Sequence, residues 1–248
     1  MNLFRKIWAL WAVFIFLLLM FLSLPLVVFN LVVSPGARAL RHNIWYLHHV
    51  FTPFFLRLVG IRMQVEGRKK LLRTQSYVIV GNHRSSLDFI INAHAYPGVF
   101  RFLAKQELKK IPVFGFIVGK MCLIVDRSSA MSRARSVVAL KQQLAEGWSI
   151  FIYPEGSRNR TAERLAPFYD GAFRIAIQTG APVAVQTLIN IQEITGANGD
   201  GLQPGVVKVV WEDPIVTADM TVMDIPLLRE TVENMMRNRI EAYALKHH

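Results

Sequence analysis

The sequence predicts an α/β fold: a single domain with a mostly parallel central sheet flanked by helices, preceded by an N-terminal hydrophobic, membrane-anchoring helical segment. Three observations predict it. Short apolar runs at residues 63–65, 77–80, 121–125, 149–153, 182–188 and 206–211 have the length and composition of buried strands. Helical patterns fill the intervals, as strands joined by crossover helices require. Ahead of all of them, residues 7–33 run IWALWAVFIFLLLMFLSLPLVVFNLVV without one charged side chain.

That first run exceeds the roughly 20 apolar residues needed to cross a bilayer core as a helix. It is also too long for the apolar stretch of a signal peptide, about 7 to 15 residues, so it reads as a retained anchor. Pro25 in its middle leaves two forms open, a kinked spanning helix or one that turns back in one leaflet. Residues 40–59 follow, mixing Trp45, Tyr46, Phe54 and Phe55 with Arg41, His48 and Arg57. Aromatics interleaved with cations suit the membrane interface, and His42, His48 and His49 are placed there with them. Residues 1–60 are therefore expected to form anchor and interfacial helix, and residues 61–248 a catalytic domain.

Within that domain, residues 132–146 place Val137, Leu140 and Leu144 on one helical face and end at Gly147. A second helix is expected over 168–179 and a third over 226–245, opened by Pro226. Such sheets take ligands outside the carboxyl ends of their strands. Three candidate strands end in polar loops: 77–80 in GNHRSSLD, 149–153 in PEGSRNR, and 121–125 in Asp126-Arg127. If these open on one edge, they gather His83, Asp88, Arg127, Glu155 and Arg158.

His83 and Asp88 are five residues apart, about 140° around a single helix, and so cannot meet on one. A turn between them can bring them together. Ser85-Ser86-Leu87-Asp88 has the S-x-x-D capping pattern, which predicts Ser85 as N-cap and Asp88 in the first helical turn. An ionised aspartate on one ring nitrogen fixes the tautomer and leaves the other nitrogen as a base. Ser85 and Ser86 are accounted for by capping, and no G-x-S-x-G elbow makes either a nucleophile. The simplest chemistry for the pair is a general base acting on a hydroxyl that the substrate brings; the alternative is a capping aspartate beside a loop histidine. In the second loop Pro154 and Gly156 enforce a turn, and Arg158 offers a guanidinium suited to phosphate. Arg160 reads as a solvated loop cation, and His94 as a helical histidine without chemistry.

The formal net charge is +12, with an excess of seven positive charges in residues 34–73 and six in residues 101–135. Those blocks favour anionic partners. No zinc spacing or basic recognition helix points to nucleic acid, and the apolar segment turns the choice to lipid. One cysteine, Cys122, excludes an internal disulfide, fits a reducing compartment and sits in an apolar run as a small hydrophobe. No H-E-x-x-H or Cys/His cluster suggests a metal.

Four blocks in order resemble the glycerolipid acyltransferase family, of the 1-acyl-sn-glycerol-3-phosphate acyltransferase type. They are Asn82-His83-Arg84-Ser85-Ser86-Leu87-Asp88, the stretch from Lys105 to Gly115 with Asp126-Arg127, Tyr153-Pro154-Glu155-Gly156-Ser157-Arg158, and Ala181-Pro182-Val183. The resemblance implies that His83, oriented by Asp88, deprotonates the free hydroxyl of a lysophospholipid, which attacks the thioester of acyl-CoA or acyl-carrier protein. It implies that Glu155, Gly156, Ser157 and Arg158, with Lys105 and Arg127, hold the acceptor, and that no cofactor or metal takes part. It also implies lysophosphatidic acid as the first acceptor, with another lysophospholipid or lysolipid as the alternative, phosphatidic acid as product in phospholipid biosynthesis, and a place at the bacterial inner membrane facing the cytosol. Tyr153 and Ser157 stand where the family has Phe and Thr, and Tyr169 where a lysine is common, which bears on the acceptor. A thioester hydrolase and a non-catalytic lipid-binding membrane protein are the rival expectations.

Overall fold

A computed structural model describes residues 3–34, 36–105, 109, 114–125, 130–196 and 201–247. The N-terminal apolar run forms one helix, α1 (Leu3–Val33), that continues through Pro25. Ala12, Ile15, Met20, Ser23 and Val27 form its buried stripe, at spacings of about one helical turn that turn one face inward. Leu10, Phe14, Leu17, Phe21 and Phe29 remain exposed on its other faces. The chain then reverses through α2 (Ala37–Tyr46), one turn of π-helix (Leu47–Phe51) and α3 (Thr52–Leu58), which lie back along α1. Polar pairs fix the hairpin: Asn30 Nδ2 donates to Asn43 Oδ1 at 2.7 Å, Ser23 Oγ and Tyr46 OH share a bond of 2.8 Å, and Trp8 Nε1 donates to the Val59 carbonyl at 3.0 Å. These buried residues share one apolar cluster with Ile79, Phe151 and Trp211 of the sheet layer, so the helices pack on the domain rather than hang from it.

Seven strands form the sheet: β1 (Ile61–Glu66), β2 (Val78–Gly81), β3 (Phe100–Lys105), β4 (Leu123–Val125), β5 (Ser149–Ile152), β6 (Val183–Leu188) and β7 (Gly205–Trp211). Their spatial order is β1-β7-β6-β2-β5-β3-β4, and every neighbouring pair is parallel except β6 with β7. The mostly parallel sheet agrees with the expectation, and six of the seven strands fall on the predicted runs. β3 was not predicted. Its sequence, FRFLAK, carries Arg101, whose guanidinium is taken up by Gln143 and by the carbonyls of Met121, Lys120 and Cys122. A charge satisfied by tertiary partners hid the strand pattern.

Helices α4 (Asp88–Ala95), α5 (Phe114–Met121), α6 (Ala130–Ala145), α7 (Gly171–Thr179), α8 (Ile191–Thr195) and α9 (Ile225–His247) cover the two faces. The second predicted helix starts at Gly171 rather than at 168, because residues 153–170 are drawn into the loop beside His83. The third begins one residue earlier than expected, behind a 3₁₀ turn that Thr221 and Asp224 close with a reciprocal capping box. Cys122 is half-buried, and burial pushes its thiol up to about 11, which keeps it protonated.

His48 departs from its interfacial assignment. It is buried where the π-turn meets β3, its ring 4.7 Å from that of Phe100, because the extra residue per turn rotates it inward. Burial, helped by the neighbouring charges of His49 and His94, pushes its pKa from 6.5 down to about 3. A histidine lowered in the fold is neutral there while the unfolded chain still binds the proton. Stability is therefore unaffected above pH 6.5 and falls as the pH drops from 6.5 towards 3. His48→Leu should lessen that loss, by ~1 kcal/mol for each pH unit below 6.5, or about 2–4 °C in Tm for a chain of this size. Thermal melts of both proteins at pH 7.5, 6 and 5 check this.

Candidate active site

Parallel pairing sets β2 and β5 side by side with Val80 opposite Ile152, so the loops that follow them leave the same edge. After Gly81 the chain quits the ladder, and the Asn82 side chain replaces one more rung. Its Nδ2 donates to the Leu188 carbonyl and its Oδ1 accepts from the Leu188 amide, both at 2.8 Å. The next residue, His83, thereby sits just above the sheet edge.

Asp88 is the first residue of α4 and is completely buried. Its Oδ2 accepts from His83 Nδ1 at 2.9 Å, from the Arg84 amide at 2.6 Å and from the Ser85 amide at 2.8 Å. Loop residues 83–85 therefore curl around a single carboxylate oxygen at a helix N-terminus. This arrangement corrects the capping expectation. Leu87, not Ser85, occupies the N-cap position, and the Ser85 hydroxyl closes a small turn by accepting from the Leu87 amide at 3.2 Å. Asp88 does lie in the first turn and does reach the imidazole.

With Nδ1 held by Asp88, the tautomer places the free lone pair on Nε2, and 18% of the His83 side chain is exposed. Among the described residues nothing hydrogen-bonds to Nε2. Ser85 is buried, and the Ser86 hydroxyl accepts from Arg158 Nη1 at 2.8 Å. Neither serine is arranged as a nucleophile for the imidazole.

The second loop clamps the first. Pro154 and Gly156 make a turn in which the Gly156 amide donates to the Tyr153 carbonyl at 3.0 Å, and Gly156 takes a φ of +71°. The buried Glu155 carboxylate accepts from the His83 amide at 2.6 Å and from the Ala166 amide at 2.9 Å. The Asn159 amide donates to the His83 carbonyl at 2.7 Å. Both backbone groups of His83 are thus held by residues 155–159. Burial raises the pKa of Glu155, and the two amide bonds and nearby His83 and Arg84 oppose the rise. Both of its oxygens are engaged within the protein, so its position is that of a loop brace rather than of an open ligand.

Arg158 and Arg160, with Ser86, line a groove of about 700 Å³ together with the apolar Ala9, Val13, Phe16 and Phe55 from the helical hairpin. Ser157 is exposed on the same loop. Arg160 was expected to be only a solvated cation, yet it faces this groove. Arg84 was not singled out either. Its guanidinium is half-buried beside the pair and reaches the Thr161 carbonyl at 3.0 Å. The Lys105 backbone ends β3, while its side chain and the whole of Arg127 lie outside the described residues, as does most of the block from 106 to 113. Among the described residues no cluster of three His, Cys, Asp or Glu side chains is disposed to hold a metal ion.

The acyltransferase family model matches residues 62–187, half of the chain, and includes both loops. The chain belongs to the acyltransferase family. It is 30% identical over 186 residues to human 1-acyl-sn-glycerol-3-phosphate acyltransferase alpha, covering 72% of this chain and 64% of that one. It is 34% identical over 136 residues to 1-acyl-sn-glycerol-3-phosphate acyltransferase of Borreliella burgdorferi, covering 54% of each. The match spans less than two thirds of either relative's length. The crystal structure of the 1-acyl-sn-glycerophosphate acyltransferase PlsC from Thermotoga maritima superimposes with a TM-score of 0.80 over 97% of this chain and 98% of that one, at 20% identity. That likeness extends through the helical hairpin and establishes that this family member shares the whole fold.

Two variants test the site. Asp88→Asn keeps the shape but removes the charge that three donors require, and should cost at least ~10²-fold in kcat. Glu155→Gln should cost roughly 10-fold or more, since an amide can no longer accept two charge-assisted bonds. Steady-state kinetics with matched circular dichroism spectra check both.

Proposed function

We propose that this protein moves a fatty acyl group from acyl-CoA or acyl-carrier protein to the free sn-2 hydroxyl of 1-acyl-glycerol-3-phosphate, giving phosphatidic acid. The observation that carries this is a histidine paired with a buried aspartate, without a side-chain nucleophile, in a loop whose next residues, Ser85, Ser86 and Leu87, line a groove shared by Arg158, Arg160 and apolar side chains. Nε2 of His83 takes the proton of the acceptor hydroxyl as its oxygen attacks the thioester carbonyl. The tetrahedral intermediate then collapses, breaking the carbon–sulfur bond, and the imidazolium returns the proton to the leaving thiolate. No acyl-enzyme forms. Asp88 balances the charge that appears on the imidazole. Arg158 and Arg160, with Lys105 and Arg127 by family resemblance, meet the acceptor's phosphate, and Gly156 and Ser157 offer backbone and hydroxyl contacts beside them.

The helical hairpin supports a membrane position. α1 is long and apolar enough to cross a bilayer, but it is tied to the domain near its N-terminus and to α2 near its other end. Arg5 donates to Gln203 Oε1 at 2.9 Å and to the Glu193 carbonyl at 3.1 Å, while Asn30 holds Asn43 at the far end. A helix fastened along its length to one domain favours insertion into one leaflet, exposed face outwards, over a crossing. The enzyme then rests on the cytosolic surface of a bacterial inner membrane, drawing both lipids from it.

The decisive measurement is free-thiol release from a long-chain acyl-CoA by the purified protein in detergent, with and without lysophosphatidic acid. Release that requires the lipid and yields phosphatidic acid is expected. Release without lipid would make the protein a thioester hydrolase, and silence with both donors and with other lysolipids would remove the enzymatic function. His83→Ala should lower transfer by at least roughly 10²-fold.

A further inference from the structure

One contact of the base is not used by the mechanism above. The ring of Tyr153 lies face to face with the His83 imidazole, centroids 4.0 Å apart and planes within 15°. Tyr153 is the last of a row of aromatic side chains rising from the core, packed on Phe151 at 5.1 Å and Phe102 at 6.3 Å. Its far end is also held, since Asn92 Nδ2 donates to the Tyr153 hydroxyl at 3.0 Å. Asn92 is completely buried and stands one helical turn after Asp88 on α4, four residues on, so both face the same way. One helix therefore grips the imidazole by its edge through Asp88, and by its face through Asn92 and Tyr153.

The hydroxyl itself stays protonated. Burial and the nearby Asp88 carboxylate push its pKa well above 10, against the opposing bond from Asn92. A neutral phenol ring presents a negative π-face to the imidazole. That face is indifferent to neutral imidazole and attractive to imidazolium, the species formed when the base takes a proton. An interaction stronger in the transition state than in the ground state raises kcat and leaves substrate affinity alone.

We propose that Tyr153, held by Asn92, is a positioning residue for His83: it fixes the plane of the imidazole and stabilises the imidazolium formed during transfer. This rests on the assignment of His83 as general base. A merely structural aromatic would need only its shape, whereas this role needs its electrons.

The test replaces Tyr153 by Phe and then by phenylalanines carrying one, two and three ring fluorines, which keep the shape while draining the π-face. Tyr153→Phe should retain kcat within about 3-fold. Successive fluorines should lower kcat stepwise, to a total of roughly 3- to 30-fold, with the KM for lysophosphatidic acid unchanged within 2-fold. Asn92→Ala should lower kcat in the parent but add little in the Tyr153→Phe background, because its partner hydroxyl is already gone. A flat kcat across the fluorine series, or losses confined to KM, would overturn the proposal. The stack is read without substrate from the upfield ring-current shift of the His83 ring protons, which Tyr153→Leu should abolish. Absence of that shift in the parent would also overturn it. A parent that shows the shift but transfers no acyl group counts against the acyltransferase assignment instead, and the fluorine series is then read on thioester hydrolysis.

Discussion

A single oxygen of a buried carboxylate organises the loop at the sheet edge. Oδ2 of Asp88 receives the imidazole and two consecutive backbone amides, while Oδ1 has no partner among the described residues. A carboxylate with no solvent exposure is tolerable only if donors replace the water it has lost. Residues 83–85 supply those donors, and in doing so they curl around the carboxylate and leave Nε2 without a partner among the described residues. The imidazole is placed by the solvation of its own partner. The second loop completes the constraint from outside by taking both backbone groups of His83, so neither loop can shift without the other.

Much of this was legible in the residues. Alternating apolar runs and helical patterns were sufficient for a parallel sheet, because strands buried on both faces announce themselves as continuous Val and Ile stretches. The pairing of His83 with Asp88 was legible from spacing plus a capping pattern, although the cap belongs to a different residue. What escaped was whatever depends on tertiary partners. β3 was disguised by an arginine whose charge is met by the carbonyls of Lys120, Met121 and Cys122 and by Gln143. The inward turn of His48 required a π-turn that no periodicity encodes. Glu155 looked like a ligand in a loop of ligands, whereas its oxygens are satisfied by the His83 and Ala166 amides. The stacking of Tyr153 on His83 joins strand ends seventy residues apart, and only the strand register brings them together.

The helical hairpin and the catalytic edge share one wall. Phe16 and Phe55 of the hairpin face Ser86 and Arg158 of the loops across the same groove, and the hairpin's buried side is continuous with the sheet's apolar layer. The segment that would dock on lipid is thus also part of the binding surface. Removing it would open the groove and expose the core as well as releasing the protein from the membrane.

Packing α1 against the domain has a kinetic consequence if the hairpin lies in one leaflet as proposed. In that position the imidazole would be held at a fixed height and tilt relative to the lipid surface, and encounters with a lipid acceptor would occur by lateral diffusion within a sheet of molecules. The concentration that governs such encounters is a mole fraction in that surface, not an amount per volume of solution. Diluting the membrane with inert lipid should then slow the protein even when the total quantity of acceptor is held constant.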